Sequence, residues 1–312
     1  MTQKIVILGT GGTIAGRSSR LGDNVGYTAA QVNVGDLVSC VPALGGYSLE
    51  TRQIAQIDSK DMGHAVWQAL LQACDSALSR DDVSGVVITH GTDTIEETAW
   101  FLHSVLHASK PVVLTCAMRP ASALMPDGPQ NLADAVAVAA TPGLTGVVVV
   151  CAGRVHGAHD VRKVHPYRLD PFSSGDQGAL GDVAEGRLRL VRNPVTPIGN
   201  TALVQHICTT NPETWPWVEV VLSHAGAQGQ VVSLLVNAGV SGLVVACTGN
   251  GTCHEALEAA LQKAGLAGVQ ILRASRCDEG VVVPLPSVPR WPIVEISASK
   301  ARVTLMLELM KL

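Results

Sequence analysis

Two hydroxyl-bearing loops follow short apolar runs in the first hundred residues. One is Gly9-Thr-Gly-Gly-Thr-Ile-Ala-Gly16, and the other is His90-Gly-Thr-Asp-Thr94. A threonine hydroxyl becomes a nucleophile once a neighbouring group takes its proton, and backbone N–H groups at such turns can stabilise an oxyanion. The candidate catalytic residues are therefore Thr13 in the first loop and Thr92 with Asp93 in the second. The alternative for Thr13 is a hydroxyl that only satisfies its turn.

Phosphate binding is the rival interpretation of the first loop. The dinucleotide pattern G-x-G-x-x-G fails because Ile14 stands where the third glycine belongs. Gly11 and Gly16 have the spacing of a P-loop, but Arg17 replaces its lysine. A nucleotide-binding or amino-acid-binding module without catalysis therefore stays open as a second class of function.

The second loop also contains helix-start signals. Thr94 and Glu97 have the spacing of a capping box, which leaves Thr92 and Asp93 to face a ligand. His90 is either a general base or a packed histidine at a strand end. Farther along, Lys163 is either a surface charge or, if buried beside a threonine, a base.

Two common hydrolytic sites lack their motifs. No G-x-S-x-G elbow occurs, and His254-Glu255 lacks the second histidine of a zinc-protease motif. No pair of the eight cysteines has C-x-x-C spacing, which disfavours a zinc site or a redox site built on cysteines. We predict reduced, mostly buried thiols in a cytoplasmic protein.

The elements that must position these residues alternate between short Val/Ile runs and longer amphipathic segments. This alternation predicts β-α-β units and a mostly parallel sheet, an α/β fold. The carboxyl ends of such strands are where open sheets bind ligands. The predicted strands of the first half are residues 4–8, 86–89, 112–115 and 147–151, and the predicted helices are 61–78, 95–107 and 131–140.

The chain divides into a larger and a smaller α/β domain in this interpretation. A hairpin at 182–191 closes the first domain, residues 1–191, and a Pro-rich linker lies within 192–216. The smaller domain covers 217–312. Its predicted strands are 218–222, 243–246 and 269–273, and its predicted helices are 231–238, 253–264 and 300–312.

The amino-acid composition of the chain argues against nucleic acid and membranes as partners. Acidic residues exceed basic ones by four and no Lys/Arg cluster occurs, so nucleic acid is not an expected ligand. No apolar run reaches the ~18 residues of a membrane helix, and the run at 5–8 is too short for a signal peptide. Since 47% of the residues are apolar but only 3% are aromatic, the core must consist mainly of aliphatic side chains.

The two loops together carry a family resemblance. Gly11-Gly-Thr-Ile-Ala-Gly16 and Thr89-His-Gly-Thr-Asp-Thr94 resemble the paired signature of the bacterial-type L-asparaginases, which include glutaminase-asparaginases. The likeness extends over nearly the whole chain. Further matching segments are 58–62, 117–120, 127–131, 249–251 and the Tyr27 region.

The resemblance implies hydrolysis of L-asparagine to L-aspartate and ammonia through a threonine acyl-enzyme, with glutamine or another amide as the alternative substrate. It implies a doubly wound N-terminal domain, a smaller C-terminal α/β domain, and a homotetramer of intimate dimers with active sites between subunits, without metal or cofactor. The implied catalytic residues are Thr13, Tyr27, Thr92, Asp93 and Lys163; the implied substrate-binding residues are Gly12, Asp58, Ser59, Lys60, Gly91, Ala117 and Asn250.

Two positions depart from the family pattern. Lys60 stands where several relatives have a glutamine facing the substrate. Many relatives also send a glutamate into the neighbouring subunit's site, and here Glu279 is the candidate for it. For Ser59 the alternative is a cap on the helix that begins near Lys60. The amidotransferase subunit that deamidates glutamine for charged tRNA is a further rival, which the start of the first strand at Lys4 disfavours.

Overall fold

The computed structural model describes residues 3–20, 22–195, 199–283 and 291–311. The chain forms two compact units, Met1–Pro212 and Glu213–Leu312. The first contains an eight-stranded, mostly parallel sheet and the second a four-stranded parallel sheet. This is the predicted α/β fold with a larger N-terminal sheet and a smaller C-terminal one.

The first sheet has the strand order β10-β9-β6-β5-β4-β3-β1-β2. Its strands are β1 (Lys4–Gly11), β2 (Ser48–Ile57), β3 (Val83–Thr89), β4 (Pro111–Thr115), β5 (Gly146–Cys151), β6 (Arg154–Gly157), β9 (Gly181–Ala184) and β10 (Arg187–Leu190). The five strands from β2 to β5 run parallel, and the remaining pairs are antiparallel. A separate two-stranded sheet joins β7 (Arg162–Lys163) to β8 (Phe172–Ser173).

Both faces of the large sheet are covered. Alternate strand residues, such as Ile5 and Ile7 of β1, pack in one core cluster with residues of the helix at 128–139. Their neighbours Val6 and Leu8 are buried on the opposite face. Because parallel strands buried on both faces need continuous apolar runs, the Val/Ile runs of the sequence form these central strands.

Helices connect the parallel strands. Those of the first unit are α1 (Val34–Ser39), α2 (His64–Leu78), α3 (Ile95–Val105), α4 (Gly128–Ala139) and α5 (Thr201–Thr209). Trp67 of α2 stacks on Phe101 of α3 with ring centroids 4.9 Å apart, and its indole N–H donates to Thr98 at 2.9 Å. This contact fixes the two helices against each other.

Several elements were not predicted from the sequence. The edge strand β2 has a polar sequence and no buried side chain, so it carries no apolar run, yet it pairs with β1 from Lys4 to Gly11. Strands β6 to β8 and helix α1 are too short to show a period. Helix α5 lies inside 192–216, the predicted linker, and the linker itself stays a prediction.

The hairpin of β9 and β10 lies where the sequence predicts it. Glu185 and Gly186 both have positive φ, 49° and 68°, the conformation of a type I′ turn. Glycine adopts this conformation without a steric penalty.

The second unit has the strand order β11-β12-β13-β14. Its elements are β11 (Val218–Leu222), α6 (Gln230–Asn237), β12 (Gly242–Cys247), α7 (Glu255–Leu266), β13 (Gln270–Ser275), β14 (Ile293–Val294) and α8 (Ala298–Met310). Strand β14 is the unpredicted addition. All eight cysteines of the chain are free, and no helix among the described residues is both long and apolar enough to cross a membrane.

Candidate active site

The first loop leaves β1 through two glycines whose backbone has no room for a side chain. Gly11 and Gly12 have φ of 106° and 80°, and a Cβ on Gly11 would lie 2.4 Å from the carbonyl oxygen of Ile57. Thr13 then opens a three-residue 3-10 turn, Thr13–Ala15. A P-loop leads into a full helix, so this short turn disfavours the phosphate-binding interpretation.

Thr13 meets Tyr27 at this turn. Their hydroxyl oxygens lie 2.7 Å apart, and the threonine is 9% exposed. The segment that carries Tyr27 is fixed at its base because Arg17 and Thr28 exchange two backbone hydrogen bonds of 2.9 Å. A Cβ on Gly16 would lie 2.8 Å from the tyrosine ring, so glycine is what lets the ring pack there. The structure thus places a phenol oxygen against a nearly buried threonine hydroxyl.

The second loop leaves β3 and brings three polar groups together. The Nζ of Lys163 donates to the Thr92 hydroxyl at 2.8 Å and to the Asp93 carboxylate at 2.5 Å. Thr92 is buried, and the lysine side chain is only 18% exposed. The surface-charge interpretation of Lys163 is therefore wrong.

The two loops touch each other. A Cβ on Gly12 would lie 2.4 Å from both Cα and N of Gly91. Upstream, the Thr10 hydroxyl donates to the Thr89 carbonyl at 2.9 Å. Gly12 and Gly91 thus form one continuous backbone surface between Thr13 and the Thr92 group.

Ser59 lies directly against this surface. It is 2% exposed, its hydroxyl accepts from the Asp93 N–H at 3.2 Å, and a Cβ on Gly91 would lie 2.4 Å from that hydroxyl oxygen. The proposed cap role is wrong for Ser59, because Asp58 is the cap of the 3-10 turn Ser59–Asp61. Ser59 holds the second loop instead.

The capping box predicted for Thr94 and Glu97 is also wrong. Thr94 is the N-cap residue of α3 by position, but its side chain makes no cap hydrogen bond. Its hydroxyl donates to the Ser59 carbonyl at 2.7 Å. The Thr94 hydroxyl, which the sequence pattern assigns to the start of α3, is hydrogen bonded to Ser59 instead.

Lys60 points along its own turn. Its Nζ pairs with Asp61, and this hydrogen bond raises the pKa of the lysine. The Lys60 side chain is 62% exposed, so the pair is solvated. The Lys60 ammonium, paired with the Asp61 carboxylate, thus follows Asp58 and Ser59 directly in the chain.

Ala117 is buried at the end of β4, in a loop held by two side chains of the 127–131 segment. The Asp127 carboxylate accepts from the N–H groups of Met118 and Arg119, both at 2.9 Å. The Asn131 side chain donates to the Cys116 carbonyl at 2.9 Å and accepts from Ala152 N at 2.9 Å. These contacts fix the loop in which Ala117 sits.

Asn250 and Glu279 belong to the second unit. The Asn250 side chain donates to the Val283 carbonyl at 2.9 Å and accepts from its N–H at 2.7 Å, so it is hydrogen bonded within its own unit. Glu279 is exposed.

His90 is a packed residue. It is completely buried, with one ring nitrogen 2.7 Å from the Gly91 carbonyl and the other 2.9 Å from the Thr98 hydroxyl. Burial lowers the pKa of His90 to about 4. Both ring nitrogens are bonded to groups of the fold that lie outside the Thr13 and Thr92 pairs, so the structure favours the packed-histidine interpretation over the general base.

One contact of the site was not predicted. The carboxylate of Glu96, in the first turn of α3, accepts a hydrogen bond from the backbone N–H of Lys163 at 2.8 Å. The only local signal in the sequence was a carboxylate next to the start of a helix.

Among the described residues, no group of three His, Cys, Asp or Glu side chains could hold a metal ion.

Comparisons with known proteins agree with this geometry. The family model described as "Asparaginase, N-terminal" matches residues 4–196, and that described as "Glutaminase/Asparaginase C-terminal domain" matches residues 217–311. A probable periplasmic L-asparaginase of Haemophilus influenzae is 37% identical over 88% of this chain and 78% of its own length. A glutaminase-asparaginase of Acinetobacter glutaminasificans is 34% identical over 98% of this chain and 95% of its own length.

A solved structure has the same fold. The crystal structure of a probable cytoplasmic L-asparaginase from Campylobacter jejuni superposes with a TM-score of 0.91 at 33% identity. The match covers 100% of this chain and 96% of that chain.

Proposed function

This chain belongs to the asparaginase family along both of its units, and from that premise we propose that it hydrolyses L-asparagine to L-aspartate and ammonia through a threonine ester. The observation that carries the proposal is the contact between the two loops at Gly12 and Gly91. It brings the Thr13–Tyr27 pair and the Thr92–Asp93–Lys163 group to one surface. Acyl transfer needs both an activated nucleophile and a second group to activate water.

In the first step the Thr13 hydroxyl attacks the side-chain amide carbon of asparagine. The Tyr27 phenol, 2.7 Å from this hydroxyl, receives the threonine proton while it gives its own proton to the departing nitrogen. The C–O bond to Thr13 forms, the C–N bond breaks, and ammonia leaves. The backbone N–H groups of the two loops stabilise the oxyanion.

In the second step water hydrolyses the ester. The Thr92 hydroxyl, which accepts a hydrogen bond from Lys163, orients this water against the ester carbon. The new C–O bond to water forms, the C–O bond to Thr13 breaks, and the water's proton passes to the Thr13 oxygen, which releases aspartate. The Asp93 carboxylate holds the Lys163 ammonium and, being half exposed, also has room for the substrate's α-ammonium. In this proposal Ser59 binds the substrate's α-carboxylate, and Gly12, Asp58, Lys60, Gly91 and Ala117 supply further substrate contacts.

Replacing Thr13 tests the nucleophile. We expect Thr13→Ala to lower kcat for ammonia release from asparagine at least about 1000-fold, because the variant lacks the hydroxyl that forms the ester in this proposal. Thr13→Ser keeps a hydroxyl and is expected to retain measurable turnover. Thr209→Ala is the control, because Thr209 lies on helix α5 and its hydroxyl donates to carbonyls of the same helix. Near-normal ammonia release by Thr13→Ala would show the assignment to be wrong.

Glutamine is the second candidate substrate. The Acinetobacter relative named glutaminase-asparaginase motivates this candidate, since it matches nearly the whole chain. Steady-state ammonia release from asparagine and glutamine, measured on one preparation, gives the ratio of kcat/KM values. A larger kcat/KM for glutamine would reverse the proposed preference.

We further propose a homotetramer built from intimate dimers, located in the cytoplasm. Exposed apolar side chains on β11 and α6, Leu222, Val231 and Leu234, support burial against another copy. Free cysteines and the Campylobacter neighbour support the location. Light scattering after size exclusion measures the assembly, and cell fractionation measures the location. Within this proposal, Asn250 and Glu279 act at the site of a neighbouring subunit.

A further inference from the structure

Lys163 is not positioned by the large sheet. It lies on the two-residue strand β7, whose partner is the equally short β8, with Lys163 opposite Phe172. A two-stranded ribbon of this length is only marginally stable by itself. The lysine therefore needs further contacts to keep its Nζ within hydrogen-bond distance of Thr92.

A single turn of chain, residues 92–96, supplies these contacts at both ends of the lysine. Thr92 and Asp93 accept from Nζ at 2.8 and 2.5 Å. At the other end the Glu96 carboxylate accepts from the Lys163 backbone N–H at 2.8 Å. A hydrogen bond to an ionised acceptor is roughly twice as strong as a neutral one.

Glu96 itself is on a rigid element. It lies in the first turn of α3, where Ile95, Thr98, Ala99, Phe101 and Leu102 are fully buried. The helix backbone that carries this carboxylate is thus held in the core, whereas both residues of β7 are only partly buried. The contact transfers the rigidity of α3 to the lysine backbone.

We infer that Glu96 is a positioning residue for Lys163, an inference that rests on the proposed function. The competing explanation is that Glu96 only complements the positive end of the helix dipole. Glu97 is a matched charge in the same first turn and would serve that purpose equally.

The first experiment compares Glu96→Gln, Glu96→Ala and Glu97→Ala. Glutamine keeps an oxygen that can accept the Lys163 N–H, so we expect kcat within about threefold of wild type. Alanine removes the acceptor, and we expect kcat to fall about 10- to 100-fold, the range for a small misplacement of a catalytic group. Glu97→Ala is expected to stay within about threefold. An equal loss for both alanine variants would assign the effect to the helix and overturn the inference.

The second experiment is a double-mutant cycle with Lys163→Met. If Glu96 acts through Lys163, adding Glu96→Ala to the Lys163→Met enzyme should change kcat by less than about twofold. Losses that multiply in the double variant would overturn the inference. Unchanged kinetics in Lys163→Met alone would instead overturn the proposed role of the lysine, and the inference with it.

Glu96→Asp keeps the cycle informative should the alanine variant fold poorly. Aspartate retains the charge but is one methylene shorter, so we expect a kcat between those of the glutamine and alanine variants. Circular dichroism spectra accompany each variant. A wild-type kcat for a folded Glu96→Ala enzyme would also refute the positioning role.

Discussion

The polar side chains at the two ends of the large sheet differ in burial and in charge. At the carboxyl ends of β1, β3 and β4, the side chains of Thr10, Thr89, His90 and Thr115 are nearly or fully buried. Thr10 and Thr115 donate to backbone carbonyls, and His90 is bonded on both ring nitrogens. These groups are neutral, directional and shielded from water.

Near the amino ends of β1, β2 and β3 the polar groups are charged and partly exposed. Lys4 pairs with Asp82 at 3.1 Å, and Arg80 donates to both Asp82 and Glu50 at 2.9 to 3.0 Å. The side chains of these four residues are 33% to 43% exposed. Hydrogen bonds from Arg80 lower the pKa of both Glu50 and Asp82.

This difference indicates that side-chain positions are fixed more tightly at the carboxyl ends of the strands than at their amino ends. Burying a polar group costs free energy unless it is hydrogen bonded, so every buried contact at the carboxyl ends fixes a position. Exposed ion pairs are screened by solvent and tolerate rearrangement. Substitutions at the carboxyl ends should therefore impair catalysis, and those at the amino ends should not.

Among the substitutions that test this comparison of the two ends, Gly12→Ala is expected to have the largest effect. The new Cβ would lie 2.4 Å from the Gly91 backbone at a φ of 80°, so the two loops must separate. We expect kcat/KM for asparagine to fall at least about 100-fold, since displacement of about 1 Å has this effect on positioned groups. Gly143→Ala is the control, because Gly143 has a φ of 77° but nothing within 4 Å of its Cβ. Equal activity in the two variants would contradict the loop contact.

A smaller effect, on the free energy of unfolding, is expected when the pH is lowered from 7 to 5. The unfolded chain protonates His90 below its ordinary pKa of 6.5, whereas burial keeps the folded residue neutral down to about 4. Because the unfolded state binds more protons between these values, the free energy of unfolding falls as the pH falls. The His90 contribution between pH 7 and pH 5 is about 2 kcal/mol.

Denaturant titrations at fixed protein concentration, at pH 7 and pH 5, measure this loss. His90→Gln should show a weaker pH dependence; some should remain, because burial also lowers the pKa of His156 to about 4. Asp82 adds no pH dependence between pH 7 and pH 5. Because its folded pKa is lowered, its contribution to stability is lost only as the pH falls below its ordinary pKa of 3.8. An identical pH dependence in wild type and His90→Gln would exclude this origin.

The smallest effect is expected at the amino ends. Glu50→Gln removes one partner of Arg80, and we expect the free energy of unfolding to change by less than about 1 kcal/mol, as for other exposed pairs. Asparagine turnover should stay within about twofold of wild type. A large loss of activity in this variant would remove the distinction between the two ends of the sheet.

The sequence by itself determined the fold class, the central strands and the two loops. Continuous apolar runs specify strands buried on both faces, and the glycines at 11 and 12 mark backbone that must approach its neighbours closely. These signals are local, because each depends on residues within a few positions of one another. For that reason β3, β4 and β5 were predicted within a few residues, whereas the polar edge strand β2 was missed.

Only the tertiary structure decided which side chains meet. Lys163 reaches Thr92 across 71 residues of sequence, Ser59 reaches Asp93 across 34, and Glu96 reaches the Lys163 backbone across 67. No period or spacing in the chain encodes such distances. The hydroxyl of Thr94 shows the consequence, since it follows a capping pattern and bonds to Ser59 instead. Strand pairing sets these contacts, because it brings loops that are distant in sequence to one edge of the sheet.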